Sequence, residues 1–177
     1  DLFSPQSLNT LSLLKQDLLQ VEGITAVTSI LDVPLVNSPR ISLEQLQRQI
    51  PTLESAGVDK GLARTEFANS PLYNNLLISS DAKTTALHLS IYRDETYYSL
   101  LNQRNALRNQ RLKSALSDIE KAELNRLEQE FYHYSSGLQQ QQKVMILAVR
   151  KVLDDYRDRA NIYLGGVPMI TADSIDF

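Results

Sequence analysis

Residues 104–130 read RNALRNQRLKSALSDIEKAELNRLEQE and decide the architecture of the C-terminal half of the chain. Asp94–Arg159 contains no proline and a single glycine, and its composition favours helix throughout. Ser117, with Glu120 three residues later, is typical of a helix start. We therefore predict two helices over residues 94–159, joined by a tip at Ser114–Asp118.

The two predicted helices carry opposite charges near this tip. The first has Arg104, Arg108, Arg111 and Lys113, and the second has Asp118, Glu120, Glu123, Glu128 and Glu130. Apolar residues recur at near-heptad spacing along the second helix: Leu124, Leu127, Phe131, Tyr134, Leu138, Met145 and Val152. Each exposed ion pair contributes only about 0.2–1 kcal/mol, so we expect charge to set the register and the apolar stripe to supply stability. Residues 94–159 are thus predicted to form a long antiparallel helical hairpin.

The N-terminal half begins with a helix that leads into a strand. Ser4 and Pro5 favour a helix start, and Gly23 favours its end. A stripe of apolar residues lies between them: Leu8, Leu11, Leu14, Leu18 and Val21. The β-branched run Ile24–Leu31 then predicts a strand.

Short elements follow this strand. Asp32–Pro71 is broken by four prolines, and within this excursion we predict short helices at Ser42–Ile50 and Asp59–Phe67, the second capped by Asp59. Asn75–Ser79 and Thr84–Tyr92 flank a polar turn and predict a β-hairpin. The predicted elements follow one another as helix, strand, excursion, hairpin, long helices and a last strand at Ile162–Leu164. This order matches an α+β ferredoxin-like (split βαβ) fold without its first strand. We expect that strand to precede Asp1 and residues 1–177 to form one domain.

Composition limits the classes of function. Hydrophobic residues make up 42% of the chain and charged residues 22%, which is typical of a folded globular domain. The net charge of −3 opposes nucleic-acid binding, and the absence of cysteine excludes thiolate chemistry and disulfides. No uninterrupted apolar run approaches the roughly 20 residues of a transmembrane helix.

Few residues suggest catalysis or metal binding. His88 and His133 have no neighbouring ligand residues, and Gly165–Gly166 lacks the further glycine and lysine of a phosphate loop. Acidic residues Asp154, Asp155 and Asp158 could hold a cation, although the surrounding Arg and Lys residues favour a charge-paired surface. We expect no enzyme activity, no cofactor and no metal.

Two further surfaces have alternative interpretations. The tyrosines of residues 92–134 either line a groove for an apolar ligand or pack within the helical hairpin, and the second is favoured. They are Tyr92, Tyr97, Tyr98, Tyr132 and Tyr134. The basic first helix either binds RNA or lipid headgroups or pairs with its acidic neighbour, and pairing is again favoured.

A series of short motifs spans almost the whole chain. In order, they are LFSPQSL at 2–8, GITAVTS at 23–29, LDVPL at 31–35, SPLY at 70–73 and LGGVPMI at 164–170. This series resembles the first large extracytoplasmic loop of resistance-nodulation-division (RND) superfamily exporters, in the branch of predicted lipid and hydrophobe exporters. The resemblance depends on the order of the motifs, since no single one is specific.

The resemblance implies a function and a location. It implies a porter-like periplasmic domain of a proton-driven exporter in the bacterial inner membrane, with Gly165, Gly166 and Pro168 turning the chain from the last strand towards the membrane. Implied partners are the transmembrane helices and second periplasmic domain of the parent, a second copy of the chain, and a lipid or hydrophobic substrate. Proton-relay carboxylates would lie in the membrane helices, so Asp173 and Asp176 are not assigned that role. The alternatives are a soluble module that binds a protein partner through the hairpin, or a carrier of a lipid-like ligand.

Overall fold

The computed structural model describes residues 1–35 and 51–174. Within them the chain forms five helices and one two-stranded antiparallel sheet, which confirms the predicted α+β class. The predicted helix at Ser42–Ile50 lies outside the described residues. The chain divides into two compact units, Asp1–Ile91 with Val152–Asn161, and Tyr92–Lys151 with Ile162–Phe177.

Helix α1, Pro5–Leu19, opens the first unit at the predicted position. The Ser4 hydroxyl accepts a hydrogen bond from the Ser7 amide at 3.1 Å, which caps the helix. Every member of the predicted apolar stripe is buried: Leu8, Leu11, Leu14, Leu18 and Val21. The helix ends four residues before Gly23, whose φ of +91° lets the chain turn into the first strand.

Strand β1, Ile24–Thr28, is shorter than predicted. It ends because Ser29 binds the Asp32 side chain instead of a neighbouring strand: the Ser29 amide donates to Asp32 at 2.8 Å and the Ser29 hydroxyl at 3.0 Å. Lys15 donates to the same carboxylate. Residues 29–31 remain fully buried, so their apolar run reflects burial and not strand structure.

Strand β2, His88–Ile91, pairs antiparallel with β1, with Val27 opposite Leu89. The predicted hairpin between Asn75–Ser79 and Thr84–Tyr92 is present only next to its turn, and the strand part of the second segment pairs with β1 instead. Residues 76–78 form a turn in which three successive amides donate to the Tyr73 carbonyl. The two segments are joined by the isolated antiparallel bridge between Ile78 and Thr85 and by two backbone hydrogen bonds, from the Ser79 amide to the Thr84 carbonyl at 2.9 Å and from the Ala86 amide to the Leu77 carbonyl at 3.0 Å. The turn hydrogen bonds at residues 76–78 therefore restrict this hairpin pairing to a few residues.

Helix α2, Lys60–Asn69, starts as predicted, because the Asp59 carboxylate accepts from the amides of Gly61 and Leu62 at 2.7 and 3.1 Å. It carries Phe67 into the centre of the core of this unit. The Phe67 ring lies 5.9 Å from that of Phe3 and 5.2 Å from that of Tyr73.

The second unit contains helices α3, Glu95–Lys113, α4, Asp118–Asp154, and α5, Val167–Ser174, although the last turn of α4 belongs to the first unit. Helices α3 and α4 run in opposite directions: the Tyr97 ring lies 5.3 Å from the Phe131 ring, and Arg108 binds Glu128 at 2.7 Å. Residues 114–117 between them are not helical.

A reciprocal pair of hydrogen bonds starts α4. The Ser117 amide donates to the Glu120 carboxylate at 2.7 Å, and the Glu120 amide donates to the Ser117 hydroxyl at 3.3 Å. This is the capping box that the sequence indicates.

The last predicted strand is not present. Ile162–Leu164 belongs to neither strand of the sheet, and the Tyr163 side chain in its centre is 91% exposed. The strand predicted at Ile162–Leu164 is therefore wrong for this chain.

Candidate functional site

The predicted turn at Gly165, Gly166 and Pro168 lies immediately before α5. Gly166 has φ +119°, and its carbonyl accepts the first hydrogen bond of the helix from the Ile170 amide at 3.2 Å. A Cβ at Gly166 would meet only Pro168 Cδ at 3.8 Å, so conformation and not space requires glycine there. Gly165 has no positive φ, and a Cβ at Gly165 would meet no atom within 4 Å, so its position accepts a side chain.

Apolar side chains are exposed on both sides of this turn. Tyr163 is 91% exposed, Val167 75% and Ile170 58%. In contrast, Ala172 on the same helix is 5% exposed, so α5 is buried along one face only. We call Tyr163–Ile170 the turn segment; it combines a glycine-dependent backbone with an uncovered apolar surface.

An ion pair attaches α5 to α4. The Arg150 guanidinium donates to both carboxylate oxygens of Asp173, at 2.8 and 2.9 Å. Both side chains are partly exposed. Asp173 therefore has a structural partner within the unit. Asp176 lies outside the described residues.

The five tyrosines do not converge on one groove. Tyr97 packs against Tyr98 and Phe131, with ring centroids 5.5 and 5.3 Å away. Tyr134 donates to Asp94, whereas Tyr92 and Tyr132 are both 68% exposed. This arrangement favours packing between α3 and α4 over a ligand groove.

Two arginines cover this aromatic cluster. The Arg104 guanidinium lies 3.9 Å from the centre of the Phe131 ring, and that of Arg93 lies 4.3 Å from the centre of the Tyr98 ring. Such cation–π contacts contribute roughly 0.5–1 kcal/mol at exposed sites. Part of the positive charge of α3 therefore contacts an aromatic ring of the same unit.

A shallow depression on α4 was not predicted. It has a volume of about 380 Å³ and is lined by Asn125, Glu128, Gln129, Tyr132 and His133. Their spacing of three and four residues places them on one helical face, which is the signal that could have indicated it. The lining belongs to a single helix and is open to solvent, so the depression does not enclose a ligand.

The candidate metal residues are dispersed. His88 is exposed on β2, and His133 lies beside the Tyr132 ring on α4. Asp154 binds Arg157 at 2.6 Å and Asp158 binds Arg159 at 3.7 Å, as expected of a charge-paired surface. In residues 1–35 and 51–174, no group of three or more His, Cys, Asp or Glu side chains could hold a metal ion.

Comparisons with known proteins give no relative. No family model matches the chain, and neither a curated protein nor a solved structure matches it significantly. Among the described residues, none of the helices combines the length and the hydropathy needed to cross a lipid bilayer.

Proposed function

We propose that this chain is a porter-like periplasmic domain of a proton-driven RND-type exporter that handles lipids or hydrophobic compounds. The chain itself performs no chemistry in this proposal. It transmits conformational change between the membrane helices, where protons bind, and the path that the substrate follows. The observation that carries the proposal is the turn segment, where a motif of the resembled family coincides with a glycine-dependent turn and uncovered apolar side chains.

The geometry of the turn segment fits a connection to a further part of a larger protein. Val167 and Ile170 are three residues apart on α5 and share one face, which is exposed among the described residues. Contiguous apolar surface of this kind usually contacts another protein surface or a membrane. Ala172 is buried on the opposite face of α5, and the Arg150–Asp173 ion pair attaches this helix to α4.

We further propose a ferredoxin-like arrangement in which the helix pair α3–α4 is a long hairpin insertion. In the βαββαβ order, the second and third strands pair antiparallel, as β1 and β2 do. The last strand of that fold pairs with the first, which would lie outside this chain. Residues 162–164 would then become a strand only when that first strand is present.

The test uses the two glycines of the turn segment, which the structure distinguishes. In the full-length parent protein, Gly166→Val should reduce export of a hydrophobic fluorescent dye from cells at least tenfold, because valine is strained at φ +119°. The matched control, Gly165→Ala, should retain export, since its side chain enters open space. Equal export by wild type and Gly166→Val, at equal membrane abundance, would reject the proposal.

A second candidate function is a protein-binding module, and one observation favours it. Leu112 and Ile119, on either side of the non-helical residues between α3 and α4, are each 83% exposed. Two large apolar side chains at the end of a helix pair are typical of a contact surface. If this is the function, the double variant Leu112→Ser/Ile119→Ser should abolish activity of the parent protein. The Gly166→Val variant should leave that activity intact.

A further inference from the structure

Three successive residues in the middle of α4 weaken the helix without an evident packing role. Gly137 lies inside a 37-residue helix, where glycine costs about 1 kcal/mol relative to alanine. A Cβ at Gly137 would meet no atom within 4 Å, and its φ is not positive. Neither space nor backbone conformation therefore requires glycine at this position.

The two serines that precede Gly137 add to this weakness. The hydroxyls of Ser135 and Ser136 both donate to the Tyr132 carbonyl, at 3.1 and 2.8 Å. Serine side chains that bind the carbonyl of the preceding turn compete with the backbone ladder and often bend helices. One turn of α4 thus combines two competing donors with the residue of highest backbone freedom.

This turn lies at a structural boundary of the second unit. On its N-terminal side, α4 contacts α3 through Glu128 and Phe131 and the α3 cap residue Asp94 through Tyr134. On its C-terminal side, Met145 and Val149 are buried, and Arg150 binds Asp173 of α5. The other end of the helix pair, residues 92–94 before α3, is not helical.

We propose that Ser135–Gly137 is a hinge within α4, about which the paired part of α3 and α4 bends relative to the C-terminal half of α4. The proposal depends on the local geometry and not on the function of the parent protein. Bending at a helical turn of low stability, between two segments that are each held by side-chain contacts, is a recognised mode of conformational change.

Spin-label distances test the hinge in the chain as it is. The chain has no cysteine, so Ala115→Cys and Lys151→Cys introduce the only two labelling sites, both exposed and both within the second unit. These positions flank the hinge and lie about 50 Å apart at 1.5 Å per helical residue. We expect a broad distance distribution in the parent sequence and a narrower one in Gly137→Ala.

The matched control introduces glycine elsewhere in the same helix. Ala122→Gly, an exposed position in the part of α4 beside α3, should leave the width of the distribution unchanged. Amide exchange gives a second readout: exchange at residues 133–141 should slow roughly fivefold in Gly137→Ala, in line with its higher helix propensity. A parent distribution as narrow as that of Gly137→Ala, or broadening by Ala122→Gly, would overturn the hinge.

Discussion

The carboxylate of Asp94 joins α3 to α4. It accepts a hydrogen bond from the Tyr97 amide at 2.8 Å, which caps α3, and from the Tyr134 hydroxyl on α4 at 2.9–3.0 Å. The hydrogen bond to Asp94 raises the pKa of Tyr134 above 10, because the negative carboxylate disfavours the phenolate. One side chain thus starts a helix and holds a second helix beside it.

Substitutions at this pair should differ in severity. Asp94→Ala removes both the cap and the contact to Tyr134, and loss of the cap alone costs about 0.5–2 kcal/mol. Tyr134→Phe removes only the contact, so its effect on the free energy of unfolding should be smaller. Asp94→Asn retains the Oδ1 acceptor that both bonds reach and serves as the control. Urea unfolding followed by circular dichroism measures the series, and an effect of Tyr134→Phe equal to that of Asp94→Ala would contradict this division of roles.

The isolated chain should also distinguish Gly165 from Gly166. Gly166→Ala forces a residue with a side chain into φ +119°, which costs about 1–3 kcal/mol, and the first turn of α5 should fray. Gly165→Ala should leave α5 unchanged or slightly stabilise it. Amide exchange at residues 170–174 is the measurement. Similar protection in the two variants would show that the positive φ has no role.

Tyr156 should make the chain sensitive to alkali. Burial and its hydrogen bond to Asp17 raise the pKa of Tyr156 to about 12, so the folded state favours the neutral phenol. Its contribution to stability is complete below pH 10 and disappears as the pH rises through about 12. The difference in unfolding free energy between the parent chain and Tyr156→Phe should therefore shrink over this range. A difference that stays constant from pH 9 to about 12 would oppose the assignment.

Asp32 should have the opposite pH dependence. Burial alone would raise its pKa, but hydrogen bonds from Lys15 and Ser29 outweigh this effect and lower the pKa below 3.8. Its contribution is present above pH 3.8 and is lost as the pH falls through the lower, folded-state value. Asp32→Asn should cost about 1–2 kcal/mol at pH 7 and less in acid. Acid titration of both proteins by circular dichroism tests this, and an equal cost at pH 7 and pH 3 would contradict it.

Truncation of Phe67 should be the most damaging single change in the first unit. The Phe67 side chain is fully buried between Phe3 and Tyr73, and replacing such a ring by alanine typically costs 3–5 kcal/mol. Leu72→Ala, at a 70% exposed position nearby in sequence, should change stability by less than about 0.5 kcal/mol. Thermal unfolding of the two variants provides the comparison. A similar loss of stability in both would show that Phe67 is not central to the core.

Local signals in the sequence predicted the helices well and the strands poorly. Helix α1 and the start of α2 depend on caps and stripes that lie within one or two turns of each other, so residues such as Ser4 and Asp59 indicate them directly. Strands depend on distant partners. The pairing of Val27 with Leu89 joins segments more than 60 residues apart, and no local pattern specifies it.

The candidate site was predicted only in part. The Gly-Gly-Val-Pro sequence indicated a turn, and Gly166 has the positive φ that such a turn uses, but nothing in the local pattern separates it from Gly165. The helix that starts at Val167 was not predicted, since Val167–Ser174 has only eight residues, too few for an apolar period to be recognised. The hinge residues at Ser135–Gly137 were hidden inside a long helical pattern, where a lone glycine is usually tolerated.

Membrane association of the full-length native product tests the central claim most directly. An exporter domain predicts that the native reading frame encodes apolar spans of about 20 residues close to both ends of this segment, and that the product stays in the membrane during carbonate extraction. Polar flanking sequence together with release of the product into the aqueous fraction would contradict the exporter assignment.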